Sequence, residues 1–190
     1  MLVSHDETVK ELQDAAIAAG LHYEIWWVFK SKETRPKYIG VMNQYLTYFK
    51  STISAHFVAM LVCLYRLYET RKDTHNIPTL IDRLEKEGTL ESNVVETLRG
   101  HYAKAKPLWV KVSILRNDVF GHRSMDIDTD AAFTKAGVTG DELKELVEIT
   151  KELLNELTLH LRDSTHAFNL SANQATINLL EALKNHAKAL

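Results

Sequence analysis

The segment Arg116 to His122, read Arg-Asn-Asp-Val-Phe-Gly-His, holds the residue types in this chain best suited to chemistry. Trp109, Val112, Arg116, Val119 and Phe120 follow the 3/4 spacing of one helix face, which aims the Arg116 guanidinium at a core or an interface. An arginine cannot escape burial by losing its proton. It must meet a carboxylate, a cluster of backbone carbonyls, or a ligand with negative charge such as phosphate. His122 falls just past Gly121, where a helix can end. On a continued helix it would stand about 120° around from Arg116. The two side chains then converge on one group only if the helix ends or distorts there, or if two subunits each supply a motif.

The elements that must position this segment are all helical. Ser4-His5-Asp6-Glu7 is a capping box and starts a first helix over about residues 5 to 30. Ser31 to Thr34 and Pro36 break it. Met42, Leu46, Phe49, Ile53, Phe57, Met60, Leu64 and Tyr68 then predict the longest helix, running to about Thr70. Asn76 and Pro78 open a short helix over Thr79 to Glu87, closed by Gly88. The helix carrying Arg116 begins near Ser92, reaches at least Phe120, and should kink or restart at Pro107. Asp126 to Asp130 is an acidic turn, followed by a helical piece over Ala131 to Ala136 that ends at Gly137. Thr139-Gly140-Asp141-Glu142 is a second capping box and opens a long helix through Leu161; Ser171 to Gln174 starts a terminal one. No strand pattern competes, so the fold class is all-α, an up-and-down bundle of four to five main helices with short accessory helices.

One domain over 1–190 is expected, with 171–190 as a C-terminal extra helix, because no repeat, low-complexity tract or composition shift marks a linker. Hydrophobic residues at 45% and only seven Gly and three Pro suit a compact helical chain. A net charge of −2 argues against a broad basic field for nucleic acid and leaves room for a local cleft. The single cysteine, Cys63, lies in an apolar run and reads as a small core residue in a reducing compartment. No segment approaches the roughly 18 uncharged apolar residues of a membrane span, and no signal peptide is visible. The expectation is a cytoplasmic protein with no membrane partner. Val110 and Ile114 point away from the Trp109 stripe, and a helix apolar on two sides is central or at a subunit interface, so a homodimer is expected.

Familiar catalytic patterns are missing from the sequence. There is no His-Glu-x-x-His, cysteine pair, Glu-x-x-His set, Walker loop or Gly-rich dinucleotide fingerprint, so neither a metal nor a cofactor is expected. His5, His22, His75, His101, His160, His166 and His186 assemble into no ligand set and read as surface residues. His56 differs, lying on the stripe of Phe49, Ile53 and Met60 as a core histidine bonded to a neighbouring helix. Trp26, Trp27 and the tyrosines of the second helix could stack bases, but at helical spacing they read as core.

An arginine, a polar residue, four further positions and a histidine, late in a bundle helix, resemble the motif of the HEPN superfamily. Leu61-Val62-Cys63-Leu64-Tyr65-Arg66-Leu67-Tyr68, then Ile77-Pro78-Thr79-Leu80-Ile81, then Leu115 through His122, stand in the order of its abortive-infection, AbiU-like branch. The likeness covers roughly Ser4 to Leu161.

What the resemblance implies is an endoribonuclease that needs no metal and leaves a cyclic phosphate end, often acting as a toxin or phage-defence effector. Arg116 would stabilise phosphate charge, His122 would do acid/base work, and Asn117 would position the substrate. Asp118, four residues before His122, would orient the imidazole if the helix persists. The resemblance further implies paired motifs at a homodimer interface, RNA as substrate and an antitoxin protein as companion. Two other readings stay open. One is a catalytically silent module of the same superfamily that binds nucleotide, RNA or a partner protein. The other is a structural bundle with Arg116 and Asp118 in interhelical ion pairs and His122 as a solvated helix cap.

Overall fold

A computed structural model describes residues 4–117 and 129–189, and these form eight helices with no strand among the described residues. They are α1 (His5–Lys30), α2 (Arg35–Gln44), α3 (Leu46–Tyr68), α4 (Ile77–Lys86), α5 (Ser92–Arg116), α6 (Thr129–Ala136), α7 (Gly140–Arg162) and α8 (Asn173–Ala189). The long helices α1, α3, α5 and α7 make the bundle: α1 packs on α3 and α7, and α5 packs on α7 and α3. Their apolar faces share one core, in which Leu64, Leu98, Val112, Leu115, Leu153 and Leu154 are fully buried. Each such side chain contributes about 1.5–3 kcal/mol by leaving water. The Tyr68 hydroxyl is buried among them and hydrogen-bonded to Thr150 on α7 at 2.8 Å, and burial pushes its ionisation well above the usual range.

Local signals fix most helix ends. Ser4 Oγ accepts from the Glu7 amide, Asn76 Oδ1 accepts from the Thr79 amide, and Thr139 and Glu142 form a complete capping box at α7. Gly88 and Gly137 follow α4 and α6 with φ of 65° and 59°, a left-handed conformation that only glycine adopts without strain. Gly140 has a different reason. A Cβ there would stand 2.1 Å from Cζ3 of Trp27, so the start of α7 rests directly on the α1 indole.

Two boundaries depart from the sequence pattern. Pro36 opens α2 from a first-turn position, where its missing amide leaves no bond unmade, instead of merely ending α1. The long apolar helix begins at Leu46, not Met42, because Tyr45 (φ −112°, ψ 42°) interrupts it. The break lets Met42 turn into a second, smaller core with Val28, Phe29, Tyr38, Val41, Phe49 and Leu180. Pro107 does not restart α5, which is continuous. The carbonyl that it leaves without an amide partner belongs to Ala103, and both residues are exposed, where water can serve.

Helix α3 is the one described helix that bears on the membrane expectation. By length and composition it could cross a membrane, with a mean hydropathy of 1.3. Its charge-free run is limited to the stretch between Lys50 and Arg66, and the helix packs in the bundle against α1 and α5. At the other end of the chain, the Glu24 carboxylate on α1 accepts hydrogen bonds from Ser171 Oγ at 2.8 Å and from the amides of Ala172 and Asn173 at 2.6 and 3.1 Å. An acid from one helix thus satisfies the orphan amides at the start of another.

Candidate functional site

Arg116 is the last residue of α5, and Asn117 follows as its cap, its backbone N–H donating back to Ser113 and Ile114. Asp118, Gly121 and His122 lie outside the described residues, as do Val119 and Phe120 of the predicted stripe. The described geometry is therefore that of Arg116, Asn117 and what surrounds them. Val112 is fully buried, whereas Arg116 and Trp109 are half-buried. The charge is at the margin of the core and not inside it. Of the second apolar patch, Ile114 packs on the main core and Val110 is exposed.

What meets the arginine is an aromatic ring. The Arg116 guanidinium carbon lies 4.6 Å from the centroid of Tyr65, on α3. Trp109, seven residues earlier on α5, stacks on the same tyrosine with centroids 5.9 Å apart and planes 29° apart, and its Nε1–H donates to the Tyr65 carbonyl at 3.1 Å. One tyrosine is thereby held by two residues that stand about two turns apart on the facing helix. The ring offers the guanidinium a weakly negative face without neutralising it. An Arg116 Nη1–H also donates to Asn117 Oδ1 at 3.0 Å, so the two polar residues of the motif are oriented together.

No described carboxylate competes for this cation. Arg116 takes part in no ion pair among the described residues. The acid on the adjoining helix, Glu142, is engaged by Lys111 and by the Thr139 amide, and these bonds hold it below the usual carboxylate range. A guanidinium that is placed, partly desolvated and charge-unpaired has donors left for an anion. Tyr65 is the residue that sequence reasoning missed. It lies inside the segment from Leu61 to Tyr68 that carries the resemblance, but only the apposition of α3 and α5 reveals its contact.

A model of the family described as HEPN_AbiU2 (AbiU2) matches residues 3–182. The chain belongs to the AbiU2 family of HEPN proteins. No curated protein and no solved structure matches it. The AbiU2 match extends past Leu161 to residue 182 and so takes in the first part of α8. An abortive-infection HEPN domain with an all-α fold is thus what these helices build.

Two further groups in the AbiU2 chain lie away from Arg116, a histidine pair and the cysteine. His56 does bond a neighbouring helix, but its partner is His22, which was expected at the surface: the two Nδ1 atoms are 2.8 Å apart. One ring must donate and the other accept, so at most one of these nitrogens carries a donated proton. Burial lowers the proton affinity of both, and His22 lowers that of His56 further. Cys63 is half-buried against the main core, and burial raises its thiol's pKa against the opposing influence of Arg66. It stays a thiol and packs as one. Among the described residues no three histidine, cysteine or acidic side chains converge on a point.

Proposed function

We propose that this AbiU2-family domain is a metal-independent endoribonuclease of the HEPN type, acting in the cytoplasm as a toxin or phage-defence effector. The observation that carries the reading is the Arg116 guanidinium, laid on Tyr65, bonded to Asn117 and facing no described carboxylate. Such a group suits a phosphodiester whose oxygens gain charge in the transition state. His122 supplies the proton chemistry. As the neutral imidazole it takes the proton of the ribose 2′-hydroxyl; the 2′-oxygen attacks the adjacent phosphorus; the bond from phosphorus to the 5′-oxygen breaks. A histidinium returns a proton to that leaving oxygen, so the products are a 2′,3′-cyclic phosphate and a 5′-hydroxyl. Asp118 would orient the imidazole if the helix persists to His122. Two copies of the chain, each contributing one motif, would furnish base and acid together, which is the reason to propose a homodimer with the motif at its interface. An antitoxin protein is the companion that such an activity requires in a cell.

The deciding experiment incubates single-stranded RNA in EDTA with the wild type, Arg116→Ala and His122→Ala. Cyclic-phosphate ends are expected from the wild type alone. Equal behaviour of the three proteins sinks the proposal. A second reading draws on the net charge of −2, which is unusual for a protein that grips RNA broadly. In it the domain binds nucleotide, RNA or a partner protein through Arg116 and cuts nothing, so that binding is lost in Arg116→Ala while no product ever forms.

A further inference from the structure

Away from Arg116, a groove of about 600 Å³ opens between the C-terminal end of α1, α2 and the first half of α3, with Phe133 of α6 at one side. That volume is within the ~300–1,000 Å³ common for small-molecule sites. Its floor is made of rings already packed on one another. Trp26 stacks on Phe57 at 5.4 Å and on Phe133 at 6.3 Å, and Trp26 and Phe57 are only 4% and 5% exposed. Trp26 and Phe57 thus form a buried floor and not an open slot for a planar base. The open wall is aliphatic instead: Ile39 and Leu46, 37% and 47% exposed, line it without covering one another.

Among the described lining residues, charge has one sign. Lys30, Arg35 and Lys50 are exposed there, no Asp or Glu is on it, and none of the three cations is in an ion pair among the described residues. A flexible apolar body with an anionic end is complementary to both halves of the groove. A wholly apolar ligand would leave the cations unanswered, and a planar anion would find no slot. We propose that the groove binds a single-chain amphiphile with a carboxylate head, that is, a fatty acid. The chain lies along Ile39, Leu46 and Val58, and the head meets the basic side chains. The proposal does not depend on the ribonuclease reading, because the groove shares no lining residue with the Arg116 site.

Dodecanoate is the probe, with dodecanol and dodecyltrimethylammonium as controls of equal chain length, all below the concentrations at which they form micelles. Calorimetric titration of the full chain is expected to show saturable binding of dodecanoate alone, with a change in Trp26 and Trp27 fluorescence. The double variant Lys30→Ala/Arg35→Ala should weaken it by at least about tenfold. Leu46→Glu, which puts a carboxylate on the aliphatic wall, should abolish it. Both variants alter exposed positions, and unchanged melting would verify that they fold. Absence of dodecanoate binding overturns the proposal, as does equal binding of the alcohol or equal affinity in the two variants. If the groove instead seats a second copy of the chain, dodecanoate will not bind and Leu46→Glu will convert an oligomer to monomer, which also overturns it.

Discussion

Arg116 and Tyr65 stand on different helices, 4.6 Å apart from guanidinium carbon to ring centroid, and this pairing takes the place of the ion pair that a half-buried arginine usually needs. Since no described carboxylate is matched to Arg116, its removal strands no opposite charge among the described residues. Arg116→Met should therefore cost little more than the cation–ring contact, roughly 0.5–2 kcal/mol. In a chain of this size that is a fall of about 1–8 °C in Tm. Thermal melting compared with RNA cleavage separates the roles: a much larger fall in Tm would make the residue structural.

Tyr65→Phe should keep the ring under the guanidinium and behave as wild type in RNA cleavage. Tyr65→Leu removes the ring, leaves the side chain apolar, and should lower kcat more than it raises KM, since a misplaced cation still attracts RNA. Loss of activity in the Phe variant would show that the hydroxyl, not the ring face, is what matters.

His22 and His56 predict an acid-sensitive fold. Both have folded-state proton affinities below the ordinary value, so the unfolded chain binds more protons once the pH drops to about 6.5. Stability is fully present above that value and declines as the pH falls from about 6.5 toward the lowered folded values. Denaturant unfolding from pH 8 to pH 5 measures the slope. His22→Gln/His56→Gln should flatten it while leaving stability at pH 8 within about 1–2 kcal/mol of wild type.

Gly140→Ala should destabilise the chain although alanine ordinarily favours a helix, because the new Cβ collides with the Trp27 ring. A cost of about 1–3 kcal/mol is expected. Trp27→Leu alone should also destabilise, but in the double variant the two losses should sum to less than their parts, as urea unfolding of the four-member cycle would show. Full additivity would mean that α7 starts elsewhere in solution.

Glu24→Gln weakens the acceptor that three donors at residues 171–173 share. Hydrogen exchange should quicken along α8 with little change in α5 and α7. Uniform change across the bundle would contradict the separateness of the second core.

Helix ends were legible where one residue settles them: Ser4, Asn76, Thr139 and Glu142 cap amides three positions away, and that distance is set by the chain itself. The break at Tyr45 was not, because apolar residues recur at 3/4 spacing straight across it, and only the burial of Met42 in the second core, with Leu46 left exposed, tells the two apart. Arg116 was legible as an arginine on an apolar face. Its reason for tolerating that face was not, since Tyr65 is on another helix, and the same holds for His22 and His56, 34 residues apart. Sequence periodicity tells which way a side chain points but not what it will meet.

The Glu24 cap on α8 has a bearing on how the chain is assembled. Leu180 is the α8 member of the small core, and the side chains it covers, Val28, Phe29, Tyr38 and Phe49, all belong to the first third of the sequence. During synthesis those early helices emerge long before residues 173–189 exist, so a nascent chain must carry an open apolar seam and an unanswered Glu24 until α8 arrives. The seam is sealed only when α8 packs on it.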